Sequence, residues 1–256
     1  MNEMISMHRL GRLVRNDSVR NFRTVMTVSA LFVAIVAINN LVVPDIASVR
    51  NNFYVAWFAA VLFVWGLLAT SRAFRDLHDK TRNEAYLLIP ASSLEKTLAR
   101  LLYLTVIFVL FLLGLTLLLS LALEAMNAAL GRQHNVQFNP LDARVWKVVA
   151  QYLIVQSYFF LGAAWFRRTH FVKTSLTITV TLIALLLIAF ASTRLFLGSH
   201  WWNNIGSAID TLYLAYRQFV DGILALAQLV AFIVIPAVCW YTAFLRVRET
   251  QVSDGV

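Results

Sequence analysis

Asp76, His78 and Asp79 form the one close group of side chains in this sequence whose types could hold a metal ion. On a helix Asp76 and Asp79 would share a face. Arg72, Arg75, Lys80 and Arg82 surround them, however, so ion pairing along the wet side of a surface helix is the expected use of these carboxylates. His134, His170 and His200 are scattered and make no set. The chain contains no Gly-x-x-x-x-Gly-Lys-Ser/Thr loop to cradle nucleotide phosphates. It also lacks a Gly-x-Ser-x-Gly nucleophile elbow, a His-Glu-x-x-His zinc pair and aspartate clusters for Mg²⁺. The single cysteine, Cys239, excludes an internal disulfide. Neither catalysis nor a bound cofactor is expected of this chain, and no residue is assigned a catalytic or metal-binding role.

The elements that carry these residues are hydrophobic to an unusual degree. The 256 residues are 60% hydrophobic and 14% charged, with a mean hydropathy of +0.70, a composition of integral membrane proteins. Six uncharged runs of 21, 21, 23, 19, 20 and 24 residues lie between flanking charges. A spanning helix needs about 20 residues, so spans are expected at about 24–44, 51–71, 98–123, 148–166, 174–193 and 222–245. Continuous apolar runs exclude a membrane barrel, whose strands would alternate. The expected fold is therefore all-α and polytopic, one transmembrane domain over 1–256. The net charge of +9 belongs to loops and not to a nucleic-acid-binding domain. Of the Lys and Arg residues, 16 fall with the N-terminus, the 72–100 loop, the 167–173 turn and the C-terminus, and 6 on the other side. The richer side is cytoplasmic, which puts both termini inside.

Flanking segments follow from the same pattern. Residues 1–23 hold Arg9, Arg12, Arg15, Arg20 and Arg23, with Leu10, Leu13 and Val14 on one helical face. This predicts an interfacial helix whose arginines meet water and lipid phosphates, with a break at Asn16-Asp17-Ser18, which are capping residue types. No cleaved signal peptide is expected, because a short apolar core with a cleavage site is missing. The outer segment from Trp201 to Phe219 repeats apolar residues at three- and four-residue steps and is expected to lie along the outer membrane surface. Asn39, Asn40, Gln151 and Gln156 are the polar amides of the spans, expected to bond neighbouring helices. Pro236 should kink the last span.

The 72–97 loop is the most structured of the water-side segments. Tyr86-Leu87-Leu88-Ile89 is apolar and needs a surface to bury against. Pro90 holds Ile89 extended. Ser92-Ser93-Leu94-Glu95 reads as a capping box, starting the third span's helix near Ser93. The string from Tyr86 to Lys96, closed by Arg100, resembles a motif of bacterial ABC-2-type transporter permeases, and the six spans with a basic N-terminal helix resemble that family over nearly the whole chain. The resemblance implies a permease in the bacterial inner membrane. It also implies pairing with a second permease copy or paralogue and coupling to a separate ATP-binding subunit that holds ATP and Mg²⁺. It further implies that Arg82, Glu84, Tyr86, Leu87, Leu88, Pro90, Ser92 and Glu95 form the coupling contact, with Arg167, Arg168 and His170 as a second one. The alternative expectation is a membrane scaffold that docks a cytoplasmic partner and transports nothing.

Overall fold

A span in lipid must satisfy its own backbone hydrogen bonds, so each uncharged run can close only as a helix. The computed structural model describes residues 6–42, 47–78, 91–132, 135–166, 170–197, 217, 221–223 and 225–253. Helix α1 runs Met7–Val42, α2 Ala47–Ser71, the short α3 Arg75–His78 and α4 Ser93–Leu102. After a π-helical turn at Tyr103–Ile107 come α5 Phe108–Ala129, α6 Ala143–Trp165 and α7 His170–Leu197. A second π turn at Val230–Val234 leads into α8, Ile235–Ser253. Among the described residues there is no strand. Six helical stretches are long and apolar enough to cross a membrane, and the chain is an all-α, multi-pass membrane protein.

Helix pairing follows small residues. At Gly66 a β-carbon would come within 2.7 Å of the Tyr152 ring, which packs α6 directly on the α2 backbone. At Gly162 a β-carbon would sit 1.9 Å from Thr174 Oγ1, fixing where α7 leaves α6. Between helices in lipid, close packing replaces the hydrophobic effect as the source of cohesion. One buried cluster joins Phe32, Phe58, Leu62, Leu112 and Tyr152 across α1, α2, α5 and α6. A second joins Phe74, Leu77, Phe160, Ala243 and Val247 at the arginine-rich end, where Phe74 meets Phe160 edge-on at 5.0 Å. Helix α7 stays exposed along nearly its whole length.

Two details depart from the sequence reading, and a third adds to it at Pro236. The expected break at residues 16–18 is absent, because α1 is continuous from Met7 to Val42. The capping-type side chains bond back along the helix instead: Ser18 Oγ donates to the Val14 carbonyl at 2.9 Å, and Asn21 Nδ2 to that of Asp17 at 3.0 Å. The face with Leu10, Leu13 and Val14 is half-buried where α1 packs on α4, so it meets protein as well as lipid. Finally, the π turn ends just before Pro236. A π turn widens the helix and is one of the recognised ways a proline is accommodated.

Candidate functional site at the basic face

Glu95 is the hinge of this site. Its side chain is 0% exposed. The expected capping box is present: Ser92 Oγ accepts from the Glu95 N–H at 3.1 Å, and Glu95 Oε2 accepts from the Ser92 N–H at 3.1 Å. The carboxylate reaches further than its own helix. Its Oε1 accepts from the backbone N–H of Ser6 at 2.9 Å and from Arg9 Nη2 at 3.2 Å. The start of α1 is thus tied to the start of α4.

A second node lies one turn on. Asp76 Oδ2, at the end of the second span, accepts from Arg20 at 2.6 Å and from Arg100 at 3.3 Å. Arg100 also donates to the Ala73 carbonyl and lies over the Phe74 ring at 5.5 Å. Exposure decides which contact matters. The Arg20 side chain is 53% exposed, so its pair is worth roughly 0–1 kcal/mol. Arg100 and Asp76 are each 9% exposed, and removing either partner from such a desolvated pair costs about 3 kcal/mol.

These two nodes close the base of the 79–90 segment from both sides. Ser92 and Glu95, expected as contact residues, make these hydrogen bonds inside the chain. Arg82, Glu84, Tyr86, Leu87, Leu88 and Pro90 lie outside the described residues, as do Arg167 and Arg168, and His170 is described only as the first residue of α7. The metal reading loses Asp76 to the arginines. Among the described residues no group of three or more His, Cys, Asp or Glu could hold an ion. The role of Ser6, Arg9 and Arg20 was not visible in the sequence; complementary charge on two segments was the only signal.

The opposite face carries a polar knot. Glu124, readable in the sequence only as a flanking charge, accepts from the Tyr54 hydroxyl, Asn127 Nδ2 at 3.3 Å, and the Asn135 N–H and Nδ2 at 3.1 and 3.2 Å. Asn40 and Asn127 exchange amide hydrogen bonds at 3.0 and 3.3 Å, and Asn135 Nδ2 donates to Asn40 Oδ1 at 2.7 Å. Asn40 therefore does what was expected of a span amide. Gln156 likewise accepts from Trp240 Nε1 at 3.3 Å, whereas Gln151 is exposed and Asn39 bonds its own helix at Ile35. Helix α5 ends in a Schellman turn, with Arg132 N donating to Asn127 O at 2.9 Å across Gly131 at φ 63°. Arg132 Nη2 then donates to the last turn of α1 at Leu41 O, 2.9 Å away. Nearby, Asp142 caps α6 through the Arg144 N–H at 2.9 Å; hydrogen bonds from Arg144 hold the Asp142 carboxyl below its ordinary value.

These arrangements can anchor and position; none brings a nucleophile to a base. No protein-family model, curated protein or solved structure matches the chain.

Proposed function

We propose that this chain is the membrane-spanning permease subunit of a bacterial inner-membrane ATP-binding-cassette transporter, with the 79–90 segment docking a separate ATP-binding subunit. The observation that supports this reading is the clamped base of that segment. A push delivered between Asp76 and Ser92 meets the end of α2, the capped start of α4 and, through Ser6 and Arg9, the start of α1. Three spans then move together, which is what coupling demands of a loop. Rigid elements with two discrete packings carry such coupling. ATP and Mg²⁺ belong to the partner, and a second permease copy or paralogue completes the pathway.

The test is co-expression with an ATPase encoded beside this chain, followed by purification of the complex and an ATP-hydrolysis assay in nanodiscs. Leu87→Asp with Leu88→Asp should abolish co-purification while the membrane chain itself still folds. Unchanged assembly and hydrolysis in that variant would overturn the assignment. A complex that assembles but shows the same hydrolysis with and without this chain would favour the scaffold.

A further inference from the structure

A cavity of about 300 Å³ opens at the basic face between α1, the end of α2 and the start of the third span. That volume is at the lower end for small-molecule sites. Its charged lining is Arg20, Arg72, Arg75 and Arg100 against Asp17 and Asp76, leaving two positive charges in excess. Arg20 and Arg100 are engaged with Asp76. Arg72 and Arg75 are exposed and make no ion pair among the described residues. The inner wall changes character. Val25, Trp65 and Phe108 line the cavity and also bound a small apolar crease of about 10 Å³ with Val28, Phe32 and Leu112.

We propose that this cavity binds one anionic phospholipid, its phosphate held by Arg72 and Arg75 and its acyl chains lying against the apolar surface of the adjoining spans. Three observations converge on that ligand. The charge surplus selects an anion. The arginines sit at the ends of uncharged runs, the level at which headgroup phosphates lie, and basic pockets between spans on that side are suited to acidic headgroups. The apolar surface beside the cavity, at Val25, Val28 and Phe111, gives an acyl chain something to lie against that free phosphate would leave bare. The inference stands on these side chains alone and does not depend on the chain being a transporter.

The experiment is native mass spectrometry of the intact chain in mild detergent, with phosphatidylglycerol or phosphatidylcholine of equal chain length added, and with excess inorganic phosphate as competitor. The expected result is one retained phosphatidylglycerol, preferred over phosphatidylcholine by about thirtyfold, as two arginines near a headgroup would give. Arg72→Ala with Arg75→Ala should remove that preference without shifting the thermal unfolding midpoint, since neither side chain is paired within the described fold. Equal retention of the two lipids by the wild-type chain would overturn the proposal, as would an unaltered preference in the double arginine variant. Displacement of the lipid by inorganic phosphate would overturn the lipid in favour of a plain phosphate site.

Discussion

Glu95 concentrates three interactions on one carboxylate that has no exposure, and their unequal worth can be separated. Glu95→Ala keeps the Ser92 Oγ bond but loses the Glu95 half of the capping box, about 1 kcal/mol, and stranding the Ser6 N–H adds about 1–2 kcal/mol. Glu95→Ala should therefore destabilise the chain by about 2–3 kcal/mol, read as a lower unfolding midpoint in detergent. Arg9 is 49% exposed, so Arg9→Ala should cost under about 1 kcal/mol. Equal shifts from the two variants would mean that the ion pair, and not the cap, holds the hinge. The residue scale also marks where sequence reading stops. The capping box was legible because Ser92 and Glu95 are neighbours on one helix turn. The partners Ser6 and Arg9 stand more than eighty positions away, and no local pattern reports which helix ends meet. Glu124 is the same lesson at the other face: its donors come from three segments, so in the sequence it reads only as the charge that ends a span.

At the scale of elements, the approach of α6 and α7 rests on a glycine facing a threonine. A methyl group at Gly162 would meet Thr174 Oγ1 at 1.9 Å, and overpacking of this kind costs about 1–3 kcal/mol. Gly162→Ala should lower the unfolding midpoint accordingly. Thr174 Oγ1 is buried and has no hydrogen-bond partner among the described residues, so Thr174→Ala strands nothing and should restore part of the loss in the double variant, the residue-174 Cβ still lying 2.9 Å away. Additive losses would show that the two helices are not held at this contact. The existence of six long apolar helices was legible here, since the uncharged runs are set by the bilayer's thickness. Helix continuity was less so. Ser18 is a good cap and equally a good donor to a carbonyl one turn back, and in the folded chain it bonds Val14 O.

For the whole molecule, helix ends sort onto two faces. The start of α1, the end of α2 and the start of α4 meet at the arginines, and the end of α1, the start of α2 and the end of α5 meet at Asn40, Tyr54 and Glu124. Since Cys239 is the single cysteine, Cys239→Ala gives a clean background for topology labelling. Cysteines placed at Asn2 and Asp254 should react with an impermeant maleimide only in inverted vesicles, and one at Leu141, which is 81% exposed, only in intact cells. Reaction of the first two from outside would reverse the orientation that the charge count gives. The unbroken course of α1 has a mechanical consequence. Its 36 residues make a rod roughly 54 Å long, against a hydrocarbon core of about 30 Å. One end is pinned to Glu95 and the other to the amide knot at Asn40. Such a rod is a lever with its fulcrum at the membrane boundary, so sideways displacement of its basic tip must be answered by a tilt at the far surface.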